Sequence, residues 1–288
     1  MSKDKDLPAE DQPFDPLSPE LLGLFDDDTV LQERLKFFFR GTSTVILPID
    51  HGTAIPVPGL ENLPGLVGTL GDSIDGVVMN YGAARSCRET LEGVPFCLRT
   101  DLYKLPYEGN PDPGPTMLFD IEAAMRLEAD AVMNMLYTHH PNEATIFQNC
   151  SRLISECHEE SIPVILETLP FGIGRPDDYT VDNIRFAVRS ACELGADLVK
   201  TAYPGDKDGF ASIVEEAFVP VVVLGGAASG DESKFLQDVA DAMEAGAVGV
   251  AIGRNVWQHK NPEKMAAALH RIVHEGASAK DAESELKS

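Results

Sequence analysis

The amino-acid sequence predicts an α/β fold, a closed (β/α)8 TIM barrel that follows an N-terminal helical extension. The chain has 288 residues, and single barrels of this kind usually contain about 250. Eight short apolar or β-branched runs, as expected of parallel strands buried on both faces, alternate with stretches of helical period. No Gly- or Ser-rich linker occurs between positions 40 and 275, so we expect one domain there.

The predicted elements alternate in the order that such a barrel requires. Strands are expected at Thr44–Ile49, Gly76–Met79, Val94–Leu98, Ala131–Leu136, Pro163–Glu167, Leu198–Ala202, Val219–Leu224 and Val248–Ile252. Helices are expected at Phe119–Leu127, Glu143–Glu160, Val181–Leu194, Asp231–Ala245 and Pro262–His274. An open, doubly wound sheet is the alternative, but it would carry a glycine fingerprint after its first strand. The motif at that place, IDHGTA at positions 49–54, is not such a fingerprint.

The two ends of the chain differ in composition from the predicted barrel, which spans residues 41–276. Residues 1–17 are polar and proline-rich, and predict a disordered acidic tail. Residues 18–40 predict an amphipathic helical segment that caps the bottom of the barrel or meets a partner. Residues 277–288 are charged and alanine-rich, and predict a tail that is either a frayed helix or an arm of an oligomer.

Composition narrows the class of partner and the compartment. The 23 Lys and Arg against 47 Asp and Glu give a formal net charge of −24, which repels nucleic acid and anionic membranes. An anionic substrate would therefore need a local positive site. The five cysteines form no CxxC pair, and no apolar run approaches 18 residues. We therefore expect a reduced, cytoplasmic protein without a signal peptide, and neither nucleic acid nor membrane as a partner.

Polar residues at the carboxyl ends of the predicted strands are the candidates for chemistry, because active sites of such barrels lie at that face. Lys200 ends the apolar run ADLVK, and a desolvated lysine amine can attack a carbonyl carbon. The alternative is a lysine that extends its amine to solvent. Asp50 and Glu167 end the first and fifth strands and could move protons, or they could hold Lys200 structurally. His51 is a candidate contact for the substrate.

Two glycine-containing loops predict a phosphate site. Gly225-Gly226 follows the seventh strand and Gly253-Arg254-Asn255 follows the eighth. In phosphate-binding barrels these loops present backbone N–H groups to the anion, and Arg254 could add a charge-assisted hydrogen bond. Glycine after a strand is also ordinary turn material, which is the alternative.

The motif YTHH at positions 137–140 follows the fourth strand. Tyr137 and His140 are possible proton donors or substrate contacts, and a loop histidine without a role is the alternative. No third ligand lies at an accepted spacing for a metal ion, so no metal is expected.

Five further motifs stand out in the sequence: LPIDHG at 47–52, ELGADLVKTAYPGD at 193–206, VPVVVLGG at 219–226, AGAVGVAIGRNVWQ at 245–258 and VHEGAS at 273–278. Together they resemble the archaeal-type class I fructose-bisphosphate aldolase family, which also contains an amino-deoxy-dihydroxyheptanoate synthase and an autoinducer-2 thiolase. The resemblance spans residues 41 to 279. It implies a (β/α)8 barrel, usually assembled as a homo-oligomer such as a decameric ring. It also implies a small phosphorylated ketose, such as fructose 1,6-bisphosphate, as the substrate.

The resemblance assigns roles to particular residues. Lys200 would form the imine, Asp50 would be the first-strand aspartate, and the phosphate loops would be Gly225-Gly226 with Ala227 and Gly253-Arg254-Asn255. The family needs no metal ion and no organic cofactor.

The sequence departs from the family pattern at two strands. Leu169 occupies the place of the family's fifth-strand tyrosine, and Glu167 lies two residues earlier on the same side of the strand. Some aldolases of the tagatose-bisphosphate type use a glutamate on this strand. On the third strand Arg99 stands where a lysine is common, and it begins the segment RTDLYKLPYEGNPDP at 99–113. Acyl or carbon transfer, and a non-catalytic metabolite-binding barrel, are the alternatives to aldol cleavage.

Overall fold

Each of the eight predicted apolar runs forms a strand in the computed structural model, which describes residues 29–55, 57–87, 89, 91–102, 114–171, 179–226 and 230–287. The strands of the described residues are β1 (Thr44–Pro48), β2 (Gly76–Met79), β3 (Phe96–Arg99), β4 (Asp101–Leu102), β5 (Thr116–Met117), β6 (Ala131–Thr138), β7 (Val164–Pro170), β8 (Leu198–Thr201), β9 (Val221–Leu224) and β10 (Gly249–Ala251). Eight of these, all but β4 and β5, pair in parallel and close into a barrel in chain order, with β10 beside β1. The predicted closed barrel is thus confirmed over the open sheet.

β4 and β5 form a separate antiparallel pair after the third barrel strand. This pair was not predicted. It occupies the connection between β3 and the next helix, where a two-residue strand is too short to give an alternating pattern.

Helices cover the outside of the barrel and connect its strands. Within the described residues they are α1 (Thr29–Lys36), α2 (Leu63–Leu70), α3 (Tyr81–Cys87), α4 (Ile121–Leu127), α5 (Glu143–Glu159), α6 (Val181–Leu194), α7 (Lys207–Glu216), α8 (Glu232–Glu244), α9 (Arg254–Trp257), α10 (Pro262–Glu275) and α11 (Ala279–Lys287). The five predicted barrel helices are α4, α5, α6, α8 and α10, with ends that differ from the prediction by at most two residues.

Side-chain caps fix where several helices begin. Thr180, Asp206 and Asp231 each accept a hydrogen bond from the backbone N–H three residues later, at the starts of α6, α7 and α8. Such a cap satisfies an N–H group that has no partner within its helix. The helices therefore begin where the sequence supplies a short polar side chain.

The barrel has two apolar cores. Side chains of the strands fill its interior, including Ile46, Val78 and Ile165, while a larger cluster joins the outer faces of the strands to the helices. Leu35 and Phe38 belong to the interior cluster although they precede β1. These two residues therefore extend the interior core beyond the amino-terminal ends of the strands. The helix of the N-terminal segment ends at Lys36, before the expected boundary at residue 40, and residues 1–28 lie outside the described part of the chain.

The C-terminal segment, for which a frayed helix or an arm of an oligomer was expected, forms helix α11 at Ala279–Lys287. Helix α11 contacts α8 and α10, and its residues Ala279, Ala282 and Leu286 are buried. The spacing of these three residues places them on one helix face. The Arg271 guanidinium also donates to the Glu285 carboxylate over 3.0 Å. Charged residues dominate the composition of this segment, but its few apolar residues form a face that packs.

Two further features concern the whole of the described chain. All five cysteines are buried and free. In the part of the chain that the structure describes, no helix combines the length and apolar character needed to cross a bilayer.

Candidate active site

A cluster of charged side chains is buried at the carboxyl ends of the barrel strands. Its members are Asp50, Arg99, Asp101, Glu167 and Lys200, and each is at most 7% exposed. Glu167 lies on β7, Lys200 on β8, Arg99 on β3 and Asp101 on β4, and Asp50 lies in the turn after β1. Charged groups are rarely buried unless they are paired, so the contacts among these five decide what the cluster can do.

Lys200 and Glu167 are neighbours because of strand register. They face each other across the β7–β8 pair, and the residues two positions earlier, Ile165 and Leu198, belong to the interior core. Side chains alternate along a strand, so Glu167 and Lys200 also point into the barrel. The Lys200 Nζ lies 2.9 Å from the Glu167 Oε1.

Arg99 joins the three carboxylates of the cluster. Its Nη1 donates to the Glu167 Oε2 over 2.6 Å and lies 3.5 Å from the Asp50 Oδ2. Its Nε donates to the Asp101 Oδ1 over 2.5 Å. Asp101 in turn accepts a hydrogen bond from the backbone N–H of Met135 on β6, over 3.1 Å. The cluster therefore connects four strands of the barrel, β3, β6, β7 and β8, with the turn after β1.

Charge decides the ionisation of the acids in this cluster. Burial opposes ionisation of Asp50 and Glu167, but nearby positive charges outweigh it. His51, Arg99 and Lys200 hold the pKa of Asp50 well below its usual range. Lys200 and Arg99 lower the pKa of Glu167. For Asp101, burial prevails over the contact with Arg99 and raises the pKa of its carboxyl group.

The turn after β1 is fixed by contacts with neighbouring strands. Asn80, at the end of β2, donates to the backbone carbonyl of Asp50. The His51 Nδ1 lies 3.3 Å from the Asp50 Oδ1. The His51 ring also packs edge-on against Trp257, with 5.4 Å between the ring centroids. Trp257 is buried and donates to the Pro48 carbonyl over 3.1 Å.

The two predicted phosphate loops lie side by side. A Cβ atom on Gly225 would stand 2.4 Å from the Asn255 Oδ1, and one on Gly253 would stand 2.4 Å from the Pro48 carbonyl oxygen. Gly225 therefore allows the two loops to approach each other, and Gly253 allows its loop to approach the end of β1. Asn255 is buried, and its Oδ1 has no hydrogen-bond partner among the described residues. Ala227, the remaining residue assigned to these loops, lies outside the described part of the chain.

The residues of the YTHH motif separate in the structure. Tyr137 is buried and in register with Leu169. Leu169 is the next inward-facing residue of β7 after Glu167, because side chains alternate along a strand. His140 is buried against Phe171, with ring centroids 4.4 Å apart, and its Nδ1 accepts from the Asn142 N–H. His139 has a positive φ of 62° and stacks on the exposed Phe186. Tyr137 therefore lies nearer the charged cluster than His139 does.

Arg99 was expected only as a third-strand residue that replaces a common lysine and begins an unusual segment, and Asp101 was not a candidate site residue. A signal for both was present. Cys97 lies in the interior core, so alternation along FCLRTD directs residues 99 and 101 to the same side. Two opposite charges at inward-facing positions of a buried strand indicate an internal ion pair.

Comparisons with known proteins place this barrel among the aldolases. The model of the DeoC/LacD family of aldolases matches residues 44–259. A 2-amino-3,7-dideoxy-D-threo-hept-6-ulosonate synthase of Archaeoglobus fulgidus is 34% identical over 244 residues, which cover 84% of this chain and 90% of that protein.

Two solved structures show a similar fold. An archaeal fructose 1,6-bisphosphate aldolase is 30% identical with a TM-score of 0.76, and the match covers 85% of this chain and 100% of that one. An archaeal aldolase whose catalytic lysine is covalently bound to the carbinolamine intermediate of its substrate is 30% identical with a TM-score of 0.74. That match covers 84% of this chain and 99% of the other.

Proposed function

The chain belongs to the DeoC/LacD family of aldolases, and from this membership and its buried lysine we propose a class I aldolase in which Lys200 forms an imine with a small phosphorylated ketose. The observation that carries the proposal is the contact of 2.9 Å between the Lys200 Nζ and the Glu167 Oε1 inside the barrel. A lysine that merely extends to solvent would not be 5% exposed and paired at this depth. The archaeal aldolase with a covalently bound lysine supports the assignment.

The contacts of Lys200 suggest how protons are transferred while the imine forms. Glu167 accepts the proton that the Lys200 ammonium must lose before its nitrogen attacks the ketose carbonyl carbon. Attack gives an ammonium–alkoxide adduct, and a second proton passes from its nitrogen to the alkoxide oxygen to form the hydroxyl group of the carbinolamine. Glu167 then gives the proton it first took to this hydroxyl group, which leaves as water and yields the iminium ion. Glu167 suits this role because it contacts the reacting nitrogen directly, as a general acid–base group must.

Cleavage requires a second base. The bond that breaks joins the carbon next to the iminium carbon to a carbon that bears a hydroxyl group. Asp50 takes the proton from this hydroxyl group, whose carbon becomes the carbonyl carbon of the departing aldehyde. The electron pair of the broken bond moves into the iminium to give an enamine. Protonation of the enamine and addition of water then release the second product and restore Lys200. The lowered pKa of Asp50 keeps this carboxyl group ionised, which is the protonation state that a base requires.

The phosphate group of the substrate would lie at the two glycine loops. Gly226 has a φ of +65° and is exposed. The Nδ2 group of the neighbouring Asn255 is an amide donor, the type of group that a phosphate oxygen requires. Backbone N–H groups of the loops and the Arg254 side chain would supply the local positive site that a chain of charge −24 otherwise lacks.

Transfer of a carbon unit to a second substrate is the other candidate. It is favoured by the 34% identity to a hept-6-ulosonate synthase and by Leu169 at the place of the aldolase tyrosine. It keeps the Lys200 imine but requires two substrates. Further proposals are a homo-oligomer and a reducing, cytoplasmic setting, the latter supported by five buried free cysteines.

Borohydride trapping tests the proposal. The protein is incubated with dihydroxyacetone phosphate, fructose 1,6-bisphosphate and other ketose phosphates, reduced, and analysed by intact mass and peptide mapping. We expect an adduct on Lys200 with at least one compound and none with Lys200→Met, while Lys264→Met on the outer helix α10 serves as the control. An adduct that persists in Lys200→Met would contradict the proposal. Release of an aldehyde from a single ketose phosphate indicates cleavage, whereas a need for an acceptor indicates transfer.

A further inference from the structure

We propose that Arg99 is a positioning residue of the reaction, which, anchored by Asp101, holds Glu167 against Lys200 as a proton acceptor. This inference rests on the proposed Lys200 imine. It assigns to Arg99 a task distinct from binding the phosphate group of the substrate.

The first step is the anchoring of Arg99 itself. Asp101 uses one carboxylate oxygen for the Arg99 Nε, at 2.5 Å, and the other for the Met135 backbone N–H, at 3.1 Å. Met135 lies within β6, so the anchor is part of the sheet. A guanidinium group is planar and presents its donors in a fixed fork. Fixing the Nε edge therefore also fixes the direction in which Nη1 points.

The second step is the effect of that direction on Glu167. The Arg99 Nη1 binds the Glu167 Oε2 over 2.6 Å, while the Lys200 Nζ binds the other oxygen over 2.9 Å. Each oxygen of the carboxylate thus has its own cation. The Oε1 atom remains directed at the reacting nitrogen because Oε2 is held from the opposite side.

The surroundings of Arg99 argue against a role in binding phosphate. Its side chain is 1% exposed, and Asp50, Asp101 and Glu167 all lie within 3.5 Å of its nitrogen atoms. An anionic phosphate group would have to approach three carboxylates to reach it. The predicted glycine loops are less acidic than the surroundings of Arg99, and they already contain Arg254.

The proposal makes the acid limb of the pH–rate profile informative. Charged groups face Glu167 from Lys200 on β8, Arg99 and Asp101 at β3 and its continuation, and Asp50 after β1. The other strands at this level, β6 and β9, bring Met135 and Val222 into register with Glu167 and Lys200, respectively. Because Arg99 lowers the pKa of Glu167, its loss should move the acid limb to higher pH.

The experiment compares Arg99→Met, Arg99→Lys and Asp101→Asn, with Arg189→Met on the outer face of α6 as the control. Each variant is checked by thermal unfolding, and its kcat, KM, pH profile and rate of borohydride trapping are measured with the ketose phosphate that labels wild-type Lys200. For Arg99→Met we expect kcat to fall about 100-fold or more, with the acid limb shifted to higher pH. Arg99→Lys, which keeps the charge but loses the fork, should fall less in kcat and shift less.

Asp101→Asn separates positioning from simple electrostatics. Removing a negative charge near Glu167 favours the ionised carboxylate, so electrostatics alone predicts an unchanged or higher rate at low pH. Positioning instead predicts a roughly 10-fold lower kcat at unchanged KM, with no upward shift of the acid limb. This variant and Arg99→Lys still decide the matter if Arg99→Met fails to fold.

The outcomes distinguish the two proposals. If wild-type protein gives no adduct on Lys200, the proposed function fails. If wild-type protein is labelled but Asp101→Asn and Arg99→Lys keep wild-type kcat and pH profile, the positioning role of Arg99 is refuted. A rise in KM for the phosphorylated substrate with unchanged kcat would instead show that Arg99 binds substrate, and would overturn the inference as well.

Discussion

Replacement of Glu167 by Gln keeps the shape of the side chain and removes the charge that lies between Lys200 and Arg99. The variant loses the proton acceptor at 2.9 Å from the reacting nitrogen. General acid–base groups contribute about 10²–10⁴-fold to a rate, which corresponds to about 3–5 kcal/mol of the activation barrier. We therefore expect kcat/KM to fall by at least about 100-fold.

The same substitution should also lower the free energy of unfolding at neutral pH. Two buried cations, Arg99 and Lys200, would lose a shared counter-charge, and breaking a buried ion pair costs about 3–5 kcal/mol. The amide of Gln can still accept a hydrogen bond from one of them, so we expect a loss toward the lower end of that range. The control is Glu193→Gln, because Glu193 is exposed and pairs with Arg189 on the surface of α6. Its effect should stay within about 0.5 kcal/mol.

The pH dependence of this stability difference has a definite sign. The folded-state pKa of Glu167 is lower than its ordinary value of 4.5. The ionised carboxylate therefore stabilises the fold above pH 4.5, and this contribution is lost as the pH falls through the lower folded value. The difference between wild type and Glu167→Gln should be largest near pH 7 and shrink below about pH 4.5.

The assay combines steady-state kinetics on the identified substrate, borohydride trapping, and denaturant unfolding from pH 3 to pH 7. Slower trapping at Lys200, with the adduct still on that residue, would agree with a proton-transfer role. Wild-type kcat/KM in Glu167→Gln would refute the assignment of Glu167 as the proton carrier and would leave Tyr137 as the next candidate.

Two further substitutions test the phosphate loops and the C-terminal helix. Gly253→Ala places a methyl group 2.4 Å from the Pro48 carbonyl oxygen, so we expect a loss of about 1–3 kcal/mol in unfolding free energy and a raised KM for the phosphorylated substrate; an unchanged KM would separate this loop from substrate binding. Ala282→Glu puts a charge at a fully buried position of α11, where it should cost about 3 kcal/mol or more, whereas the exposed Ser284→Glu should be nearly neutral in the same unfolding experiment. Equal stability of these two variants would show that α11 is not packed in solution.

The sequence by itself determined the eight strands and the main helices, because both depend on local periodicity. Apolar runs such as VPVVVLGG predict buried parallel strands wherever they lie in the chain. The position of Lys200 at the end of such a run was also readable, since the carboxyl ends of barrel strands share one face. The family motifs around Lys200 and Gly253 added the expected chemistry.

Only the tertiary structure decided which charges meet. Arg99 and Glu167 are 68 positions apart in the sequence, and no local pattern states that one guanidinium group serves both Glu167 and Asp101. The same holds for the C-terminal helix α11, whose short apolar face is buried only because α8 and α10 pack against it. Periodicity depends on neighbours along the chain, whereas pairing and burial depend on residues that the closed barrel brings together.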